Sequence, residues 1–466
     1  MRYLMVLAFV LLATPSFPSS NTFPQSQSVP IVADFLPEPN NIYYCAPDGD
    51  NSTGDGTIGN PWVDFIGAAG TVSAGDLIYL RGGTYPAYSY VNYSRSQNIL
   101  STDGTSENPI IITNYPGEIA QWSDTDIWSL TLDGDYQYLI GTDVGGNKGI
   151  KFTGGISFRA DNVKIINCEF ITGTSNAGDL NPAMVSQPLV DNAYENALIS
   201  HNHFHDSRCI NTSGNIGACS GTIKMSGIRL FTTDGTIIEY NVFENMETND
   251  GGSVYFKDAT QNATVRYNKF IDATDSEASI SFFGQDQNRP SCNGLVIYGN
   301  LFYNVDSAFR YRNEYTPGLR IYDNVVLETP LIYYYLNSEN ETAGVDNGEV
   351  YNNVFEGLAF EVGWVNPGNS ADERHLPNVW DYNLWSSSDD RNDPSEWILP
   401  TGYYDHAVTS ADLGITYNAT TQTATADDDY AGLGVGRYSD NIGGFVFSTP
   451  TLPTAPGISG AGINIQ

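Results

Sequence analysis

The chain is short of positive charge, of cysteine and of long apolar runs. Its 466 residues carry 20 Lys+Arg against 54 Asp+Glu, a formal net charge of −34. Nucleic-acid and anionic-membrane binders use clustered cations to displace counterions, so this deficit argues against both. Five cysteines are too few to stand in for a hydrophobic core, so any disulfide only decorates one. Apart from Tyr3 to Ala13, no stretch approaches the ~20 apolar residues that a bilayer span needs. Charge is sparse as well as one-sided: only 16% of residues are charged, which excludes an acidic disordered tail. What is present is 41% hydrophobic residues, including 30 Tyr and 21 Phe, enough for a large core. Forty-six Gly, with abundant Asn, Thr and Ser, favour turns and short strands over helices.

The ends of the chain differ from its middle. Arg2 precedes the apolar run, and Pro15, Phe17 and Pro18 follow it, so residues 1–20 read as a secretory signal peptide and the protein as extracellular. Residues 21–40 are proline-bearing and aperiodic, a leader. Cys209 and Cys219 lie close together in a Gly/Ser/Asn-rich stretch and are the expected disulfide. Asn-x-Ser/Thr sequons stand at Asn51, Asn92, Asn211, Asn262, Asn340 and Asn418.

The middle of the chain is a repeat. From about residue 160 an Asn followed by a branched or aromatic residue keeps returning: Asn167-Cys168-Glu169-Phe170, Asn202-His203-Phe204, Asn241-Val242-Phe243, Asn268-Lys269-Phe270 and Asn300-Leu301-Phe302. Asn324-Val325-Val326, Asn353-Val354-Phe355 and Asn383-Leu384-Trp385 continue it. A short β-rich run precedes each Asn, and no helical period of useful length intervenes. Constant strands at variable intervals are what a solenoid produces when loops grow from one corner. An internal Asn at a fixed turn can bond its neighbours above and below. The expected fold is all-β, a single-stranded right-handed parallel β-helix of roughly eight to twelve coils over residues 41–390. Residues 391–466 lose the repeat and read as a C-terminal cap or wrap.

The start of that repeat resembles a known family. Tyr43-Tyr44-Cys45-Ala46-Pro47-Asp48-Gly49-Asp50, Gly59-Asn60-Pro61-Trp62 and Ala74-Gly75-Asp76-Leu77-Ile78-Tyr79-Leu80-Arg81-Gly82-Gly83-Thr84-Tyr85 are similar to the opening coil of the secreted pectate-lyase-like β-helix superfamily. The resemblance implies that Val63 to Ala69 form a short amphipathic helix plugging the open end, where apolar surface and strand edges would otherwise be bare. It also brings in polysaccharide lyases acting on pectate, alginate and chondroitin, although non-catalytic members share the opening signature.

Chemistry is expected on the outward face of one sheet. Aligned by distance to the next Asn, the opening strands read Ile228-Arg229-Leu230-Phe231, Val254-Tyr255-Phe256-Lys257, Ile280-Ser281-Phe282-Phe283, Phe309-Arg310-Tyr311-Arg312, Ile332-Tyr333-Tyr334-Tyr335 and Phe360-Glu361-Val362-Gly363. Side chains alternate, so first and third positions make the core and second and fourth face outward. Four of the 20 basic residues then share one stripe. Arg229, Tyr255, Phe283, Tyr333, Tyr335 and Glu361 are the expected substrate contacts, with cations for sugar carboxylates and rings for sugar faces. The competing reading is a solvated sheet face in which Arg and Tyr sit for their β propensity.

Eliminative cleavage of a polyuronate needs a neutralised C6 carboxylate, a base for the C5 proton and an acid for the leaving oxygen. Lys257 is the candidate base, with Arg310 and Arg312 as the nearest cations by coil count. Glu247, Asp250 and Asp258 are candidate Ca²⁺ ligands. The pattern resembles polysaccharide lyase family 6 in placing a strand lysine after acidic calcium ligands. It departs from that family at Gly252, where a second acid is expected, and in bringing its Arg pair one coil late. His201, His203 and His205 form an alternating cluster with metal-ligand chemistry, unless the Asn202 turn scatters them. A hydrolase would need paired carboxylates, and the stripe offers only Glu361. The expected protein is therefore a monomeric lyase of an acidic polysaccharide. The alternative is a non-catalytic glycan-binding or structural surface β-helix.

Overall fold

The computed structural model describes most of residues 38–336, and beyond them residues 348–351, 353–356, 359–361, 379–381, 384–386, 408–410, 415–418, 420 and 423–426. Residues 1–37, which include the expected signal peptide and most of the expected leader, Cys209, Cys219 and most of the segment 391–466 lie outside the described residues. Three long parallel sheets run through the rest. Among the described residues, sheet 1 has ten strands and sheets 2 and 3 have twelve each. Each coil visits them in turn: Met225–Phe231 lies in sheet 1, Ile237–Glu239 in sheet 2 and Val242–Glu244 in sheet 3. The next coil repeats the circuit with Val254–Lys257, Thr264–Arg266 and Lys269–Ile271. This is a parallel β-helix, right-handed as parallel crossovers are, and its coil number falls in the expected range.

Burial follows from strand alternation in three-residue strands. The middle residue of each sheet 2 strand points inward, as Ile199, Ile238, Val265, Ile297 and Ile321 do, each at most 1% exposed. The same position in sheet 3 is aromatic over eight coils. Tyr85, Trp122, Phe152, Phe170, Phe204, Phe243, Phe270 and Phe302 stack with ring centroids 4.4–5.2 Å apart. That spacing is close to the separation of neighbouring strands, so each ring meets its neighbour face on.

Between sheets 2 and 3 the repeated Asn makes a buried ladder. Asn202 Nδ2 donates to Asn241 Oδ1 at 3.0 Å, and the same contact joins Asn241 to Asn268, Asn268 to Asn300, Asn300 to Asn324 and Asn324 to Asn353. Each carbonyl oxygen also accepts the backbone N–H of the Asn one coil earlier, at 2.9–3.0 Å. The sharp turn's backbone donors are thereby satisfied without water. The ladder does not begin at Asn167, as the repeat suggested. Cys168 occupies its first rung, with its backbone N–H donated to Asn202 Oδ1 at 2.9 Å. Asn167 lies one residue earlier at φ 58°, in the left-handed column shared by His201, Tyr240, Tyr267, Gly299 and Asp323.

A second, acidic ladder lines the corner between sheets 1 and 2. Asp103 Oδ1 accepts from Asp135 N (3.0 Å), Asp135 Oδ1 from Asp161 N (2.9 Å) and Asp161 Oδ1 from Glu195 N (2.8 Å).

The open end is plugged as expected, by the helix Phe65–Ala68. Asp64 caps it by accepting from Ile66 N at 2.8 Å, while Phe65 and Ala68 sink into the end of the core. Asn98 reaches up from the first strand region of sheet 1 to accept Phe65 N at 2.9 Å. On the other flank, the outward positions of sheet 3 turn apolar from the middle coils onward. Ile271, Leu301, Val325, Leu327 and Val354 are all at most 2% exposed although they point away from the aromatic stack. Tyr417, in the antiparallel hairpin of Ile415–Asn418 and Thr423–Ala426, stacks on Tyr303 at this face.

Candidate functional site

Sheet 1 carries two outward columns whose register is set by the ladder pairs. The first runs Thr131, Ser157, Val185, Arg229, Tyr255, Ser281, Arg310, Tyr334, Glu361. The second runs Phe231, Lys257, Phe283, Arg312, Leu336. By strand register the positions of the four expected cations fall in these two columns. Tyr333 and Tyr335 do not share their columns, because Tyr333 pairs with the core residue Phe309 and Tyr335 with Tyr311. By register Tyr334 pairs with Arg310 in the first column. Three consecutive tyrosines carry no alternation, so the hydrophobic pattern could not fix their phase. The side chains of Phe283, Arg312 and Glu361 lie outside the described residues, as do Asp250 and Asp258 altogether.

The first column points outward but is not open to solvent, contrary to the expectation from alternation. Arg229 is 0% exposed, Ser281 2%, Tyr255 3% and Arg310 7%. The Arg229 guanidinium lies 4.8 Å from the Tyr255 ring centroid, and its Nε donates to Ser226 Oγ at 3.1 Å. A guanidinium held by a ring face and a hydroxyl keeps one orientation, and the sequence pattern gave no sign of Ser226 as its partner. Lys257, half-buried, is the more accessible member, with Nζ 5.4 Å from the Phe231 ring centroid. By register Arg229 stands one coil from Lys257, whereas Arg310 and Arg312 stand two coils away, about 9–10 Å. Arg229 is therefore its nearest cation by coil count, in place of the pair expected.

Gly252, at the position where the family pattern has a second acid, has a steric reason to be glycine. Its φ is +73°, and a Cβ there would sit 1.9 Å from the Ala278 carbonyl oxygen. No carboxylate can occupy that turn without moving the next coil. Glu247, on the loop that leads to Lys257, is half-buried and tied by its backbone. Its N–H donates to Ser207 O and Oγ at 3.0 and 2.9 Å, and Ser207 Oγ donates back to Glu247 O.

The histidine cluster is split by its turn. His201 sits at φ 58° and stacks on Tyr240 at 5.0 Å, away from the other two. Burial, with Lys148 nearby, pushes it down to about 4, so it is neutral in the usual range. His203 and His205, both on the strand His203–His205, stack at 4.2 Å but reach in opposite directions. His203 Nε2 meets Glu244 one coil onward at 3.1 Å, and His205 Nε2 meets Glu169 one coil back at 3.3 Å. Glu169 also pairs with Lys151 at 2.8 Å. Burial works against the charged form of His205, but its bonds to Glu169 and Asp206 outweigh it and raise the imidazole. The rings serve an ionic lattice across coils. Among the described residues, no three His, Cys, Asp or Glu gather to hold a metal.

In comparison with known proteins, residues 43–215 match the family described as Pel9A-like, right-handed β-helix region. A curated relative, a pectate lyase of Emericella nidulans, is 36% identical over 75 residues, 16% of this chain and only 16% of its own length. The chain is similar to the solved family 6 polysaccharide lyase Pedsa3628 from Pseudopedobacter saltans (TM-score 0.47, 13% identity, 74% of this chain and 90% of that one). It is also similar to a mannuronic-acid-specific family 6 lyase from human gut microbiota (TM-score 0.42, 17% identity, 75% and 87%). Residues 43–215 are thus similar to the β-helix region of Pel9A-like proteins.

Proposed function

We propose that the protein is a secreted lyase that cleaves a uronate-containing polysaccharide by β-elimination along the outer face of sheet 1. The observation that carries the reading is the register that aligns Arg229 with Arg310 and Lys257 with Arg312 on one face of a chain of charge −34. Acidic sugars need cations at their carboxylates, and this face concentrates the few that the chain has. In this reading Lys257 removes the C5 proton while Arg310 and Arg312 neutralise the C6 carboxylate. The C5 electron pair forms the C4–C5 double bond, the C4–O bond breaks, and the leaving oxygen takes up a proton. The sugars would lie along this face beside Lys257, with buried Arg229 and Tyr255 holding its shape and the positions of Phe283, Tyr334 and Glu361 continuing it by register. Glu247, Asp250 and Asp258 are the residues that would hold a calcium ion, whose chemistry would be to neutralise the substrate carboxylate.

Purified protein incubated with pectate, alginate and chondroitin, with calcium or with a chelator, is expected to generate the ultraviolet absorbance of an unsaturated product on at least one. Lys257→Ala is expected to abolish it with the melting temperature unchanged. Absence of product on all three substrates would overturn the lyase reading, and an active Lys257→Ala would remove the lysine from its role. The burial of Arg229, Tyr255, Ser281 and Arg310 favours a second reading, in which the column stiffens a non-catalytic glycan-binding β-helix. Binding of an acidic polysaccharide without product would decide for it.

A further inference from the structure

A lysine on a sheet face swings on four methylenes and loses that freedom only where something holds its ammonium. Lys257 is held. It pairs in register with Phe231 one coil earlier, so the two side chains leave the sheet side by side, from strands about 4.8 Å apart. Its Nζ lies 5.4 Å from the Phe231 ring centroid, within the ~6 Å over which a ring face attracts a cation. The ring is only 9% exposed, which makes it a fixed floor under the ammonium. The next position in the column is Phe283, so by register the lysine stands between two aromatic positions.

The backbone beneath both side chains is tied by buried hydroxyls. Ser186, on the strand Asn181–Ser186 one coil back, brackets Phe231: its Oγ accepts Phe231 N at 2.7 Å and donates to Phe231 O at 3.0 Å. Thr260 donates its Oγ1 to Lys257 O at 3.0 Å and reaches Leu230 O at 3.4 Å. One hydroxyl thus ties the residue before the ring to the lysine. Ser186 and Thr260 are both 0% exposed. Moving such a hydroxyl strands its partners away from water, so the strand ends that carry Phe231 and Lys257 stay fixed against each other.

We propose that Phe231 is a positioning residue for Lys257, with Ser186 and Thr260 anchoring the pair; this rests on the reading of Lys257 as the base. A C5 proton is abstracted along a narrow line of approach, and an amine that swings spends little time on that line. The ring's contribution is aim, since a ring face attracts the ammonium and does nothing to draw off its proton. Phe231 acts through the lysine and touches no reacting atom.

The test follows the lysine itself. In full-length protein labelled with ¹³C-lysine, the Lys257 ε-CH₂ resonance is assigned by its absence in Lys257→Arg. It is expected upfield of its position in the unfolded chain, because it lies over a ring face. Phe231→Leu should return it to that position, and Phe231→Tyr should keep it shifted. On a substrate that the wild type cleaves, Phe231→Leu is expected to lower kcat about ten-fold with KM within about two-fold, and Phe231→Tyr to restore kcat. An unshifted Lys257 resonance in the wild type overturns the proposal, and that measurement needs no variant of the buried ring to fold. A shift that survives Phe231→Leu overturns it too, as does full kcat in that variant. If no substrate is cleaved, the lyase reading fails alone, and the resonance still decides whether Phe231 holds the lysine.

Discussion

Lys269 is the residue whose presence costs the fold most visibly. It stands in an outward column of sheet 3 between Val242 and Leu301, is 4% exposed, and its Nζ has no hydrogen-bond partner. Burial pushes its ammonium down to about 8. An unpaired buried cation costs more than an apolar side chain of similar volume. Lys269→Met is therefore expected to stabilise the protein by about 2 kcal/mol at pH 7, read as a higher melting temperature. The sign with pH follows from linkage. Between about 8 and the unfolded value near 10.5 the unfolded chain holds the proton and the folded one does not, so wild-type stability rises. The advantage of the methionine variant should be full below pH 8 and shrink as pH approaches 10. A constant difference across that range would mean that the lysine is not buried as a cation. Nothing in the sequence marked this lysine, because Asn268-Lys269-Phe270 looks like any other repeat. Its burial depends on apolar residues of coils that are neighbours only in space.

At the scale of the element, the Asn ladder is the feature that sequence reading could find, since one side chain returns wherever the backbone returns. Its phase was harder to fix. Asn is favoured both at the ladder rung and at the left-handed residue just before it, so Asn167 mimicked a rung that Cys168 fills. The acidic ladder of Asp103, Asp135 and Asp161 was invisible, because Asp is common in all turns and no aromatic follows it in a fixed place. The outward stripe was legible where apolar and polar residues alternate and failed at Tyr333-Tyr334-Tyr335 where they do not. The two kinds of rung should differ energetically. Asn268→Ala removes the acceptor of the Asn241 N–H, one of the two acceptors of its Nδ2, and the side-chain donor to the Ile238 carbonyl, all buried. It is expected to cost about 3 kcal/mol or more. Cys168→Ala removes only a thiol contact to Ile166 O and should cost about 1–2 kcal/mol. Chemical denaturation of both variants would test the order; equal losses would mean that the ladder's side-chain bonds add nothing beyond packing.

At the scale of the whole molecule, the charge of −34 leaves an excess of carboxylates that repel one another. Self-repulsion of that kind is screened by salt, within about 10 Å at 0.1 M. The melting temperature is expected to rise by several degrees between about 20 and about 300 mM NaCl, against the usual loss of surface ion pairs. A fall in calorimetric melting temperature over that range would show that attractive pairs such as Arg81–Glu118 and Lys151–Glu169 outweigh the repulsion. The resemblance in the opening coil pointed to a parallel β-helix, and the stacked sheets are one. The burial of the outward column was beyond sequence reasoning, since alternation within a strand says which way a side chain points and not whether it meets solvent.

The coil stacking also makes the molecule a mechanical object. Each coil touches only the ones above and below, and the ladder rungs are 39, 27, 32, 24 and 29 residues apart. Tension applied at the two ends loads those rungs in series, so the chain yields one rung at a time from whichever end frays first. Each yield frees a length of roughly 80–140 Å, set by the loop that coil carries. A protein built this way would lengthen in measured steps, with its aromatic spine shortened one ring per step and the remaining coils intact.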